Sequence, residues 1–84
     1  MYWDVVEVVP EAYLVLKVTF SDGLQGRVRF SPSHLTGVFV PLKNPDFFNK
    51  VFIDDGAVSW PGEIDLAPDA MYRAIQEKGE WILE

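Results

Sequence analysis

Ala57-Val58-Ser59-Trp60-Pro61-Gly62-Glu63-Ile64-Asp65-Leu66-Ala67-Pro68-Asp69-Ala70-Met71-Tyr72 is the stretch whose reading decides the fold. Val58 and Trp60 share one parity of an extended run and face one side of a sheet. Pro61 has no N–H to give a ladder and Gly62 tolerates positive φ, so the strand ends there. Ile64 and Leu66 resume the apolar alternation. Ala67-Pro68-Asp69 then opens a helix: Pro68 gives up a donor that has no partner in the first turn, and Asp69 meets the positive end of the helix dipole. Ala67 is a weak N-cap, so Asp65 is the expected substitute. Met71, Ala74, Ile75 and Lys78 fall on one helical stripe, and Gly79 is the expected stop.

Outward from this stretch, Asp55-Gly56 suits the two residues of a type I′ turn. It joins a strand over residues 50–54 to the one beginning at Ala57, with Ile53 facing Val58 and Val51 facing Trp60. Phe52 and Ser59 take the other face. Upstream, Asn44-Pro45-Asp46 and Ser31-Pro32 each read as a cap followed by proline, so each predicts a short helical turn. Residues 38–42 between them read as a short extended run.

The first third of the chain predicts a meander. Residues 3–9 form a Val-rich strand, residues 10–12 a turn, and residues 13–20 and 24–30 two further strands. Setting Phe20 opposite Leu24 also sets Val18 against Gly26, Leu16 against Val28 and Leu14 against Phe30. That register needs a three-residue loop with a left-handed third position, which Gly23 supplies. A two-residue loop would put Leu16 opposite Arg29 and is rejected. The sum is an α+β domain: a three-stranded antiparallel meander, two short helical turns, a β-hairpin and a C-terminal helix. After the helix, Trp81, Ile82 and Leu83 either fold back on the sheet or dock on another chain.

Eighty-four residues point to one domain over 1–84 with a small core. There is no cysteine and one histidine, which argues against thiolate metal sites and disulfides. Hydrophobic residues make up 49% of the chain, too many for a disordered segment. Seven basic residues against 13 acidic ones give a net charge of −6, which disfavours direct binding to nucleic acid and suits a basic partner. No membrane span and no leader are read, so the expected compartment is the cytoplasm.

If Val6 and Val8 face the core, then Trp3, Val5, Val9, Tyr13 and Val15 lie on the outer face of the meander. So large an apolar area marks a candidate interface. The partner-binding set is therefore Trp3, Val5, Tyr13 and Val15, with Trp81 from the tail. On the same outer face Lys17 opposes Arg27, with Arg29 diagonal. These cations either form a solvated face relieved by Glu7 or a small patch for an acidic group. Asp54, Asp55, Glu63, Asp65 and Asp69 have structural places beside turns and at the helix start. Ser33 and His34 are adjacent but have no third member of a triad and no nucleophile elbow.

The ordered pieces are familiar together. They are the Val-rich first strand, Leu14–Phe20 leading to Asp22-Gly23, Gly37-Val38-Phe39 before Pro41-Leu42, Pro45–Phe48, and Trp60-Pro61 through Asp65-Leu66 and Pro68 to Tyr72. In these the chain resembles a small bacterial family, domain of unknown function 2442, over about residues 3–73. The resemblance implies a small α+β fold and no settled biochemistry. It also implies company: some members are fused to helix-turn-helix domains, and several sit beside a second small family in a toxin–antitoxin-like arrangement. The chain departs from the family's Trp-Pro-Asn-Gly corner, because Gly62 follows Pro61 directly and Glu63 intervenes.

The expected function is a non-enzymatic protein–protein interaction module, antitoxin-like or regulatory, working with a protein partner or as a homo-oligomer. No cofactor or metal is expected. The alternative is a ligand-binding domain or a small metal-assisted hydrolase using His34, Asp65 and Asp69.

Overall fold

The computed structural model describes all residues from Met1 to Glu84. The chain is α+β, with two sheets and a helix closing over one core. Strands β1 (Val5–Ala12), β2 (Val15–Phe20) and β3 (Gln25–Phe30) form the antiparallel meander. After two 3₁₀ turns (Pro32–His34 and Gly37–Lys43) comes the one-turn helix α1 (Pro45–Phe48). Strands β4 (Phe52–Asp54), β5 (Ala57–Trp60) and β6 (Ile64–Asp65) make a second antiparallel sheet. Helix α2 (Pro68–Lys78) follows, and β7 (Glu80–Leu83) returns to lie parallel to β3. The larger sheet thus has the order β1-β2-β3-β7.

The meander register is the expected one, with Leu16 opposite Val28, Lys17 opposite Arg27 and Val18 opposite Gly26. Gly23 has φ of 92°, as the three-residue loop requires. Asp55 and Gly56 have φ of 50° and 81°, the two left-handed residues of a type I′ turn. Ile53 opposes Val58 as expected, while the paired strand begins at Phe52, so Val51 lies just outside it and packs against the core. Helix α2 starts at Pro68 and stops at Gly79, whose left-handed backbone lets its N–H donate to the Ile75 carbonyl at 2.7 Å. No side chain caps its first turn, so Asp65 does not take the role expected of it.

Four local expectations are corrected. Residues 10–12 are strand, not turn: β1 runs on to Ala12 and the reversal falls at Tyr13-Leu14, with Leu14 at φ of 59°. Pro10 is tolerated because β1 is an edge strand. Residues 38–42 are not extended: they lie in a 3₁₀ turn that leaves Val38 and Val40 exposed and buries Leu42. Ser31 does not cap the turn it precedes; its Oγ lies 3.0 Å from Ser33 Oγ. Finally, β1 does not alternate evenly, because the pairing shifts register between Val5 and Glu7. Such an extra residue flips every side chain on one side of it. Val5 is therefore buried, at 2% exposure, and Val6 points to solvent.

The core is one cluster of 16 buried residues drawn from both sheets, both helices and the segment between them. Trp60 is its largest member; its indole N–H donates to the Phe48 carbonyl at 2.8 Å, so burying the ring strands no donor. Phe30 and Phe48 pack against Trp60 with ring centroids about 6 Å apart. Helix α2 contributes Met71 and Ile75, and Gly26 gives Ile75 the room to approach the sheet. No helix is long and apolar enough to cross a membrane.

Candidate functional site

All this packing is on one side of the larger sheet. The other side has no element over it, and the register places its side chains in rows. Val9, Lys17, Arg27 and Glu80 form one row across the four strands. Ala12, Val15, Arg29 and Ile82 form the next, and Glu7, Thr19 and Gln25 a third. Their neighbours of opposite parity, Leu16, Val18, Val28 and Phe30, are the buried ones.

Two of the three cations of this face are paired within it. Arg27 donates to both Glu11 oxygens, from Nε at 2.6 Å and Nη2 at 3.3 Å. Arg29 Nε donates to Glu80 Oε1 at 2.8 Å. The hydrogen bond from Arg27 holds the Glu11 carboxyl below the usual range and raises the Arg27 guanidinium in turn. Lys17 makes no ion pair and lies between Val9 and Arg27 in its row. Of the three residues named as a candidate anion patch, Arg27 and Arg29 are thus paired within the face and Lys17 is not. The strand repulsion is relieved by Glu11 and Glu80, not by the expected Glu7. Sequence reasoning missed both partners because Glu11 was assigned to a turn and Glu80 to a tail of unknown course.

The five residues proposed for partner binding are dispersed. Val15 lies on the open face, half-buried between Ala12 and Arg29. Tyr13 is at the hairpin tip, 57% exposed, with its hydroxyl donating to the Lys43 carbonyl at 3.0 Å. Val5 is in the core, as given above. Trp81 pairs with buried Val28 and turns to the core side, where it packs half-buried. Trp3 lies ahead of β1 and packs edge-on against Tyr2, with centroids 4.8 Å apart.

Tyr2 also meets Tyr72 edge-on at 5.0 Å, and Tyr72 meets Phe20 in the same way. The Tyr72 hydroxyl donates to the Asp22 carboxylate, joining helix α2 to the β2–β3 loop. That bond lowers the Asp22 carboxyl and raises the Tyr72 phenol, each from its ordinary value. The remaining motif residues divide between core and surface. Trp60 and Leu66 are buried, Pro68 begins α2, and Pro61 and Asp65 are exposed.

A scan against protein families matches residues 5–77 to the family described as protein of unknown function (DUF2442). The chain belongs to this family. No curated protein and no solved structure matches it. In this DUF2442 chain the motif residues Trp60, Leu66 and Tyr72 thus pack the second sheet and α2 against the rest of the core, while Pro68 opens α2. The residues named for a hydrolase do not gather: no three His, Cys, Asp or Glu side chains come together as a metal site. His34 instead lies against Phe39, with Nδ1 3.3 Å from the main-chain oxygen of Glu84.

Proposed function

We propose that this DUF2442 chain is a non-enzymatic protein-interaction module that docks a partner protein, or a second copy, on the open face of its larger sheet. The observation that carries the reading is the make-up of that face. Val9, Val15 and Ile82 supply apolar contact, while Arg27 and Arg29 are already paired with Glu11 and Glu80. A partner covering this face need not leave either guanidinium unpaired, which is the usual cost of burying one. Exposed Val9 and Ile82, with half-buried Val15 between them in the sheet, set beside two paired guanidiniums, support this reading. A regulatory, antitoxin-like role is the finer form of this reading, and its support is the family's company rather than any feature of the face.

The test is Val15→Glu, followed by light scattering and by pull-down with the tagged chain. The side chain is half-buried on the outer face, so the circular dichroism spectrum and unfolding midpoint should stay close to wild type. Association, with itself or with a captured partner, should fall at least tenfold, because a carboxylate is desolvated beside apolar residues. Association that survives unchanged removes the open face from the mechanism.

A further inference from the structure

The smaller sheet also has an outward face, and its chemistry is different. Ser59 pairs with Phe52 on one side and with Asp65 on the other, so these three side chains form one row across β4, β5 and β6. Val58, Trp60 and Ile64, of the opposite parity, are in the core. Ser59 is small and is the floor of the row, 5% exposed, with its Oγ donating to the Ala57 carbonyl at 3.3 Å. Phe52 stands beside it, 44% exposed, and Asp65 stands on the far side. Two strand spacings separate these walls, about 9–10 Å. Asp54 and Glu63 add two more carboxylates, and the groove so formed has a volume of about 410 Å³. No basic side chain lines it, and none of its three carboxylates makes an ion pair.

We propose that this groove binds an extended, arginine-bearing segment of a partner protein, with one guanidinium set between the Phe52 ring and the Asp65 carboxylate. Charge selects the occupant. An anionic ligand would meet three unopposed carboxylates, and a wholly apolar segment would desolvate them without pairing them. A cation is attracted by all three and pairs with one of them. The half-exposed ring beside them selects a flat cation, because a guanidinium stacks on an aromatic face while its edge forks onto a carboxylate. This surface is separate from the open face of the larger sheet, so either assignment stands if the other fails.

The experiment is a titration of the ¹⁵N-labelled full chain with the capped peptide acetyl-Gly-Arg-Gly-amide, followed by amide chemical shifts. The same peptide with citrulline in place of arginine is the neutral isostere. Shifts are expected to concentrate on residues 52–65 and to be far weaker with citrulline. Asp65→Asn and Phe52→Leu should each weaken binding about three- to fivefold, as expected for one exposed ion pair and one exposed cation–π contact. Glu77→Gln, exposed on helix α2 and outside both surfaces, should leave it unchanged. Phe52→Leu keeps the apolar bulk, and the spectrum itself reports whether each variant folds. Shifts scattered over carboxylates of the whole surface, equal binding of citrulline, or wild-type affinity in both groove variants would overturn the proposal.

Discussion

Gly26→Ala is the sharpest test of how helix α2 is held to the larger sheet. Gly26 sits on β3 opposite Val18, directly beneath the helix. A Cβ there would lie 2.4 Å from Ile75 Cγ2, 3.0 Å from Ile75 Cγ1 and 2.8 Å from the Gly79 carbonyl oxygen. Ile75 is buried and has little room to rotate away. The Gly79 oxygen is main chain at the helix stop, so it moves only if the end of α2 moves. Separation to ordinary contact requires the helix to lift by up to about 1 Å, and overpacking of this kind costs about 1–3 kcal/mol. One effect opposes the loss. Gly26 does not have positive φ, so alanine fits its backbone and stiffens the unfolded chain, a gain of about 0.4–1 kcal/mol. The net expectation is a loss of about 1–2 kcal/mol, or a midpoint lowered by about 5–15 °C in a domain of this size. Urea unfolding followed by tryptophan fluorescence measures it, with a constant slope showing that the two states are unchanged. The cause is checked by a double-mutant cycle with Ile75→Ala, which removes both Cγ atoms. The two losses should fall short of additive by at least about 0.5 kcal/mol. A neutral or stabilising Gly26→Ala, or strict additivity, would falsify the contact argument.

Two further outcomes are expected. Trp60→Phe takes away the indole donor and leaves the Phe48 carbonyl only a 3.4 Å approach from the Val51 N–H; with the lost ring volume, equilibrium unfolding should show a deficit of about 2–3 kcal/mol, and a deficit under about 0.5 kcal/mol would mean that this bond is not made. Tyr72→Phe should lose its stability deficit at both ends of the pH scale. The Asp22 carboxyl is depressed in the folded chain, so its contribution is present above the unfolded value of about 4 and disappears as pH falls through the folded one. The Tyr72 phenol is raised, so its contribution is present below about 10 and disappears as pH rises through the folded value. Unfolding free energies of wild type and variant should therefore converge in acid and in alkali and differ most between; a difference that is flat with pH refutes the Tyr72–Asp22 pairing.

What was legible in the sequence followed from strict local grammar. The β2–β3 register followed from demanding apolar against apolar on one face, and Gly23 then had to be left-handed. Asp55-Gly56, Pro68 and Gly79 did what turn and cap chemistry requires of them. The errors have one physical origin, which is that local periodicity does not see an inserted residue or a distant neighbour. The register shift after Val5 moved that residue from the proposed interface to the core, and nothing in a run of valines announces it. Residues 38–42 look extended because Val38, Phe39 and Val40 favour strands. Yet they belong to neither sheet, and their backbone groups are met by turn bonds instead, as in Phe39 N–H to the Thr36 carbonyl. The candidate site was partly legible for the same reason. Lys17 and Arg27 were placed opposite one another, but Glu80 is 51 residues from its partner Arg29, beyond any local signal.

The distribution of charge connects the two surfaces. The open face of the larger sheet holds Lys17, Arg27 and Arg29 with Glu7, Glu11 and Glu80, and so is neutral. The chain has seven basic and 13 acidic residues; removing three of each leaves four against ten, so the rest of the molecule carries the entire net charge. A second copy approaching through any acidic surface meets like charge, whereas one approaching through the open face does not. Self-association, if it uses electrostatics at all, is thereby directed to that face. The acidic remainder is free to attract a basic partner, and the Phe52–Asp65 groove lies within it. The neutral face owes its balance to β7, because Glu80 supplies the carboxylate that Arg29 needs. A short parallel strand at the end of the chain thus does two things at once: it extends the sheet beside β3, and it cancels a charge that would otherwise mark the middle of the open face.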